Sequence, residues 1–286
     1  MRSGFVALAG RPNVGKSTLV NALCRGKVAI VSDKPQTTRR RVAGVVNGDG
    51  YQLVLADLPG FQRPRDPLTE RMQRTVDHGL DGVDGVCLVL AANERIGQGD
   101  RFVAERVFGS ATPVVIALNK VDRLGPAEIA EQIERAAALG DFRALHPISA
   151  RTGDGVGALR QELVGLLPEG PLYFPSGELT DLPLELRLAE LVREKALELT
   201  REEVPHAITV EVEEIAGRRV TAAVLVETQS QKQIVVGKGG RIVKEIGVRA
   251  RPEIELLLGG PVFLDLHVKV KEKWRRDEQL LERLGM

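Results

Sequence analysis

The chain has 286 residues, of which 43% are hydrophobic and 28% charged, and its formal net charge is +1. This composition is typical of a globular protein, and the length favours two domains over one. A net charge so close to zero excludes binding of nucleic acid or membrane through overall charge, so a polyanion must meet a local basic patch. We see no stretch near the roughly 20 apolar residues of a membrane-spanning helix.

The two cysteines, Cys24 and Cys87, lie in apolar segments that read as a helix and a strand. Their spacing is unlike that of metal ligands, and we expect buried free thiols in a reducing compartment. The N-terminal apolar run is too short for a signal peptide. These features predict a cytoplasmic protein.

A glycine-rich loop near the N-terminus carries the first chemical signal. It stands between a predicted strand, residues 5–9, and a predicted helix that follows it. Residues 10–17 match the phosphate-loop pattern G-x-x-x-x-G-K-S/T, in which the lysine reaches the β- and γ-phosphates and the serine hydroxyl binds Mg²⁺. The predicted nucleotide-binding residues here are Gly10, Arg11, Pro12, Asn13, Val14, Gly15, Lys16, Ser17 and Thr18.

Short apolar runs then alternate with helical patterns up to residue 170. Near-continuous apolar strands belong in a sheet that is covered on both faces. The pattern predicts an α/β domain over residues 1–170 with a doubly wound, mostly parallel sheet, whose ligands bind beyond the carboxyl ends of the strands. The predicted strands are 5–9, 42–46 (an edge strand), 52–56, 86–91, 114–118 and 145–148, and later helices are 68–78, 100–108, 127–139 and 156–167.

Three polar motifs follow three of these strands. Each is weak alone, because Asp-x-Pro-Gly is ordinarily a turn, but their order at strand ends argues against coincidence. In the first, Asp57 is placed to hold Mg²⁺ through water, and Gly60 leaves its N–H free to approach the γ-phosphate. The other two motifs are Asn119-Lys120-Val121-Asp122 and Ser149-Ala150-Arg151.

The second motif predicts the base. A carboxylate only accepts hydrogen bonds, so Asp122 suits the N1–H and N2 amino donors of guanine and would be unpaired against adenine. Asn119 can bridge to the phosphate loop, the Lys120 stem can cover the base, and the Ala150 N–H can meet O6. Small-molecule kinases also contain a phosphate loop and are an alternative class, but that class does not explain the motif at residues 119–122.

Together these motifs resemble those of translation-factor-class GTPases, and Gly-x-Pro-Asn-x-Gly-Lys-Ser is similar to the Era-like branch. The resemblance implies that residues 31–41 form switch I, with Thr37 as the expected Mg²⁺ ligand and Thr38 as its competitor. It implies that switch II begins at Phe61 and runs to about residue 74. It also suggests K⁺ binding through Asn13.

Phe61 stands where Ras-like enzymes place a water-orienting glutamine, so we expect slow intrinsic hydrolysis and assign no catalytic side chain. Lys34 and Arg39 to Arg41 give switch I a basic character. Two interpretations remain open for them, a solvated loop or a contact to ribosomal phosphates.

Residues 171–183 are rich in proline and glycine and predict a linker. Beyond them we expect a helix over 184–199, a hairpin of strands 208–212 and 220–226, a short helix ending at 236, a glycine loop, a helix from Arg241, a strand over 262–270 and a charged helix. Pro252 implies a kink or an earlier end of its helix.

This order, with Val236-Gly-Lys-Gly-Gly-Arg-Ile242, resembles a type II KH domain, an α+β fold, over residues 184–286. The glycines permit a tight loop along which a single-stranded backbone passes closely, and the basic residues meet its phosphates. The predicted RNA-binding residues are Gly237, Lys238, Gly239, Gly240, Arg241 and Lys244.

The resemblance as a whole is to Era-type GTPases. It implies a monomeric, Mg²⁺-dependent GTP switch that binds 16S ribosomal RNA near its 3′ end and assists assembly of the small ribosomal subunit. The alternative is a regulatory GTPase at the inner face of the membrane, anchored by Lys269, Lys271, Lys273, Trp274, Arg275 and Arg276. Alternating lysines on a strand more often protect a sheet edge.

Overall fold

The computed structural model describes residues 1–34, 36–61 and 64–286. Pro35, Gln62 and Arg63, which fall in the predicted switch segments, lie outside the described residues. By its internal contacts the chain divides into two compact units. The first comprises Met1–Ala29, Thr38–Pro64 and Thr69–Asp181, and the second comprises Ile30–Thr37, Arg65–Leu68 and Leu182–Met286.

The first unit is built on a six-stranded sheet in the order β2-β3-β1-β4-β5-β6. Only β2 runs antiparallel to its neighbour, so the predicted mostly parallel sheet with an edge strand is confirmed. Its elements are β1 Arg2–Ala9, α1 Lys16–Cys24, β2 Val42–Gly48, β3 Tyr51–Asp57, α2 Pro67–Gly79, β4 Gly85–Ala91, α3 Gln98–Phe108, β5 Val114–Asn119, α4 Pro126–Ala137, β6 Ala144–Ile148 and α5 Val156–Gly165.

The apolar strands explain both the core and the position of the polar motifs. Every residue of β4 and β5 is buried, as expected of parallel strands covered on two faces. The strand register pairs Asp57 with Leu8, and Asn119 with both Ala91 and Ile148. The polar residues that end these strands therefore meet at one edge of the sheet.

Residues after α5 are held on the first unit by hydrogen bonds. The amide oxygen of buried Gln52 accepts the N–H groups of Tyr173 and Phe174 at 2.8 and 3.0 Å, and its nitrogen donates to the Phe174 carbonyl. The Asp181 carboxylate accepts the Ala43 N–H at 3.0 Å. The stretch up to residue 181 thus follows strands β2 and β3, a feature that its proline and glycine content does not predict.

The second unit has a three-stranded sheet in the order β7-β8-β9, with β8 antiparallel to β7 and parallel to β9. Helices pack on it through a core that includes Leu188, Val224 and Ile246. The predicted order of elements is confirmed, and α9 continues through Pro252 rather than ending before it. The elements are α6 Leu184–Leu199, α7 Val204–Ala207, β7 Thr209–Ala216, β8 Arg219–Val226, α8 Gln229–Val236, α9 Arg241–Leu258, β9 Phe263–Val270 and α10 Glu278–Arg283.

Two buried charged side chains of α6 hold the segment Ile30–Thr37, which belongs to this unit. The Glu194 carboxylate accepts the Val31 N–H at 2.7 Å, and the Arg193 guanidinium donates to the Thr37 carbonyl. Both side chains are about 2% exposed or less. Buried charges are costly unless hydrogen-bonded, so these contacts fix the backbone at Val31 and at Thr37.

Trp274 anchors the C-terminal end of the second unit. Its side chain is fully buried, and its Nε1–H donates to the Ala207 carbonyl at 2.8 Å. We expect Trp274→Phe to lower the free energy of unfolding by about 2–4 kcal/mol, because it leaves a buried carbonyl unpaired and a small cavity. Circular dichroism in urea is the suitable measurement, since Trp274 is the only tryptophan.

Leu256→Ala is the control, because that side chain is 85% exposed on α9. It should change stability by less than about 0.5 kcal/mol. Equal losses in the two variants would contradict the anchoring role of Trp274.

Candidate functional site

The glycine-rich loop between β1 and α1 is shaped by backbone that favours glycine. Gly15 has φ +100°, and a Cβ there would lie 2.3 Å from the Asn119 amide nitrogen. Asn13 also adopts a left-handed conformation, with φ +64°. Because α1 begins at Lys16, its first N–H groups are available to an anion at the loop.

Lys16 lies inside this loop. Its Nζ donates to the carbonyls of Gly10 and Arg11, both at 3.1 Å, and the residue is only 6% exposed. Burial lowers the pKa of Lys16 to about 8, against the opposing charge of Asp57. A phosphate beside Nζ would favour the ammonium form again, so anion binding and lysine protonation are coupled.

Three oxygen-bearing side chains converge beside Lys16. The Ser17 Oγ donates to Asp57 Oδ2 at 2.7 Å and lies 2.9 Å from the Thr38 hydroxyl. Thr38 in turn lies 3.4 Å from the same carboxylate oxygen. The other oxygen of Asp57 is buried and has no hydrogen-bond partner among the described residues. Burial raises the pKa of Asp57, while Lys16, Ser17 and Thr38 oppose the shift. Such an oxygen cluster fits a hard divalent cation such as Mg²⁺.

Thr37, the ligand that the sequence favoured, is turned elsewhere. Its hydroxyl donates to the Lys34 carbonyl at 2.6 Å. Two adjacent threonines in an irregular segment give no periodicity from which to tell which side chain faces the loop, so only the structure separates Thr37 from Thr38.

Three further features of the switch segments either differ from what the sequence predicts or add to it. Arg39 and Arg40 are only 2% and 6% exposed, so the interpretation of Arg39 to Arg41 as a solvated or RNA-facing loop is wrong for these two. Gly60 lies against the phosphate loop, where a Cβ would be 2.8 Å from the Pro12 nitrogen. Phe61 is buried, with its ring edge-on to Phe102 at 6.4 Å.

The motifs after β5 and β6 meet around Asn119, which is 2% exposed. Its amide nitrogen donates to the Val14 carbonyl at 2.9 Å, and its oxygen accepts the Ala150 N–H at 2.9 Å. The Ser149 hydroxyl donates to Asp122 at 2.7 Å, and Arg151 pairs with the same carboxylate. The hydrogen bond from Ser149 lowers the pKa of Asp122, which stays an acceptor.

In the second unit, the loop of residues 237–240 joins α8 to α9. Gly237, Gly239 and Gly240 have φ of +72°, +63° and +79°, conformations that side chains rarely adopt. A Cβ at Gly239 or Gly240 would meet nothing within 4 Å, so the loop presents bare backbone at the surface. Lys238, Arg241 and Lys244 are exposed and form no ion pair with another described residue.

The basic segment near the C-terminus is different, because its charges are largely paired within the second unit. Lys269 lies 2.5 Å from Glu213, Lys271 lies 2.9 Å from Asp277, and Arg275 pairs with Asp66. Trp274 is buried and cannot insert into a membrane surface. Within the described part of the chain, none of the helices is both long and apolar enough to span a membrane.

Comparisons with known proteins match a GTPase module and a KH module in this chain. A family model described as a 50S ribosome-binding GTPase matches residues 5–120, and a KH-domain model matches residues 203–275. The GTPase Era of Nocardioides sp. is 48% identical over 99% of this chain and 96% of its own length. The GTPase Era of Mycobacterium tuberculosis is 45% identical over 99% of this chain and 98% of its own.

Two solved structures resemble this chain along its whole length. Era in complex with MgGDPNP and nucleotides 1506–1542 of 16S ribosomal RNA has a TM-score of 0.93, with 38% identity and coverage of 100% of this chain and 99% of that one. Aquifex aeolicus Era, in a variant bound to GDP·AlF4⁻, has a TM-score of 0.95 with the same identity and coverage. The relatives share both the nucleotide module and the KH module with this chain, which therefore belongs to the Era family of GTPases.

Proposed function

We propose that this GTPase is a nucleotide switch that binds small-subunit ribosomal RNA near its 3′ end and assists assembly of that subunit. The observation that carries this proposal is that one chain contains both a loop cluster suited to guanine and an exposed glycine loop. Lys238, Arg241 and Lys244 flank that loop and form no ion pair with another described residue. The relative of known structure with bound 16S ribosomal RNA supports the same pairing of modules. We take residues 1–170 as the nucleotide module and 184–286 as the RNA module.

In the nucleotide module, the residues have distinct proposed roles. Lys16 and the backbone N–H groups of residues 10–18 bind the phosphates, and Gly60 offers its N–H to the γ-phosphate. Asp122 accepts the N1–H and N2 hydrogens of guanine, and the Lys120 stem covers the base. The Ala150 N–H, which the sequence suggested for O6, donates to Asn119 at 2.9 Å, so we do not assign it to the base. Ser149 and Arg151 fix the Asp122 carboxylate, and Asn119 fixes the loops relative to each other.

Hydrolysis by this site is expected to be slow without a partner. Phe61 packs into the core and has no hydrogen-bonding group, so it cannot orient water. Backbone groups or an activating partner then have to position the nucleophile, and we assign no catalytic side chain.

The cation that such phosphates require is Mg²⁺, which neutralises the charge developing at the transferred group. Ser17, Asp57 and a threonine of switch I would hold it. Thr38 is the threonine that we favour, since its hydroxyl lies beside both Ser17 and Asp57 and that of Thr37 does not.

A pair of alanine variants tests this choice. We expect Thr38→Ala to lower kcat for GTP by about tenfold or more and to raise the Mg²⁺ concentration for half-maximal rate, because it removes an oxygen ligand. Thr37→Ala should stay within about twofold of the parent. Initial rates over a Mg²⁺ titration are the measurement, and the reverse ranking would show that Thr37 is the ligand.

A monovalent cation is a further proposed requirement. Asn13 stands in the phosphate loop in a left-handed conformation and is exposed, and the resemblance to Era-like GTPases suggests this residue as the K⁺ ligand. We expect a higher kcat in KCl than in NaCl at equal ionic strength, and the difference should disappear in Asn13→Ala. Equal turnover of the parent protein in the two salts would remove the proposal.

RNA binding is assigned to the loop of residues 237–240. Positive-φ glycines there allow a phosphodiester backbone to approach closely, and the N-terminus of α9 directs N–H groups toward it. Lys238, Arg241 and Lys244 add exposed positive charge. Lys269, Lys271 and Arg275 are paired with carboxylates, so we favour the glycine loop over the C-terminal basic segment as the RNA site. The same ion pairs leave the membrane alternative without support.

The test replaces a loop glycine by a carboxylate. We expect Gly240→Asp to weaken binding of a 16S 3′-end RNA at least about tenfold, because negative charge is placed where phosphates pass. Gly217→Asp is the matched control, since Gly217 also has positive φ and open space but lies in the β7–β8 turn. Filter binding with both variants, and crosslinking with sequencing in cells, are the measurements.

Equal RNA affinity of the parent protein, Gly240→Asp and Gly217→Asp would contradict the RNA assignment. Binding to anionic vesicles by the parent and Gly240→Asp alike would instead favour the membrane alternative. We propose a cytoplasmic monomer as the working form, with any membrane fraction peripheral, as the resemblance to Era-type GTPases implies.

A further inference from the structure

Arg11, the second residue of the phosphate loop, is held by two carboxylates from another part of the first unit. Its Nε donates to Asp100 at 2.7 Å, and its terminal nitrogen Nη2 donates to Glu94 at 3.1 Å. Although burial acts to lower the pKa of Arg11, the two carboxylates outweigh it and the pKa is raised. The side chain therefore points away from the loop toward the β4–α3 connection.

The start of α3 is built to receive this arginine. Asp100 is 2% exposed, and its second oxygen accepts the Gly97 N–H at 3.0 Å to cap the helix. A Cβ at Gly99 would lie 2.6 Å from the Arg11 side chain, so the glycine makes room for it. One rigid carboxylate thus serves both the helix end and Arg11.

Glu94 reaches a second loop of the nucleotide site. While one of its oxygens accepts from Arg11, the other lies 3.4 Å from the Nζ of Lys120. Lys120 has φ +71°, a left-handed conformation that costs a non-glycine residue energy and persists only when its surroundings hold it. Its side chain is 19% exposed, against 42% for that of Glu94.

We propose that Glu94 is a positioning residue for guanine nucleotide binding, which ties Arg11 of the phosphate loop to Lys120 of the base loop through one carboxylate. A nucleotide spans these two loops, so a fixed separation between them lowers the cost of ordering the site on binding. Glu94 holds the Lys120 ammonium at its far end and so keeps the aliphatic stem over the base plane. Glu94 itself touches no part of the nucleotide.

The consequence is specific to affinity. Because Asp122 is held separately by Ser149 and Arg151, loss of Glu94 should not alter the choice between guanine and hypoxanthine. Glu94 contacts Arg11 and Lys120 and none of the proposed Mg²⁺ ligands, so the rate of the chemical step should not change either. KM should rise while kcat stays constant, the pattern of lost uniform binding.

Glu94→Gln is the test. Glu105→Gln is the matched control, because Glu105 is exposed on α3 and its substitution removes the same charge. In the full chain we expect Glu94→Gln to raise the Kd of GDP and of inosine diphosphate about three- to tenfold, the loss expected from two partly exposed ion pairs. The ratio of the two Kd values, kcat at saturating GTP and the Tm without nucleotide should remain those of the parent. In a Lys120→Met background, Glu94→Gln should change the Kd less than about twofold.

Unchanged Kd values in Glu94→Gln would overturn the inference, as would an equal effect of Glu105→Gln. A fall in Tm with unchanged Kd would mean that the network only stabilises the fold and would also overturn it. The inference rests on the proposed nucleotide site, and the parent protein separates the two: failure of the parent to bind GDP defeats the site itself, whereas tight binding by both parent and Glu94→Gln defeats only the role of Glu94.

Discussion

The side-chain amide of Asn119 is the interaction on which the nucleotide module depends. It ends a strand whose residues are all buried, and its two hydrogen bonds join the carbonyl of Val14 to the N–H of Ala150. An amide can both donate and accept, whereas a carboxylate or an ammonium could satisfy only one partner. Loss of either bond would leave a buried polar group unpaired, at a cost of about 1–3 kcal/mol. The phosphate loop and the base loops are therefore positioned by one buried group.

The phosphate loop before α1 and the glycine loop before α9 are both suited to phosphate groups, but their cationic side chains differ in burial. Each places positive-φ glycines before the first turn of a helix, so that backbone N–H groups and the helix terminus favour phosphate. In the first site the cation is a buried lysine whose pKa is lowered, and it suits one tightly held ligand. In the second the lysines and the arginine stay exposed, which suits a salt-dependent and reversible contact to a nucleic-acid backbone.

Much of this arrangement could be predicted because the signals are local. The strand, glycine loop and helix at residues 5–23, the polar residues at strand ends and the order of elements in the second unit all follow from short-range patterns. The orientation of Thr37 and Thr38, the burial of Arg39 and Arg40, and the course of residues 171–181 could not be predicted, because each is decided by contacts distant in sequence. The contacts of Glu94 could not be predicted for the same reason, since its partners Arg11 and Lys120 are distant in sequence. At Pro252 a local signal is misleading, because α9 continues through a residue that locally favours helix termination.

We propose that switch I couples nucleotide binding to RNA binding. Residues Ile30–Thr37 belong by their contacts to the second unit, and the first unit resumes at Thr38, whose hydroxyl lies beside Ser17 and Asp57. In this proposal, a γ-phosphate that reorders Thr38 would also change the backbone of its neighbour Thr37, whose carbonyl accepts from Arg193. The most direct test is the affinity of the full chain for a 16S 3′-end RNA with a non-hydrolysable GTP analogue and with GDP. We predict that the two affinities differ, and that RNA reciprocally shifts the preference between the nucleotides; equal affinities would contradict the account.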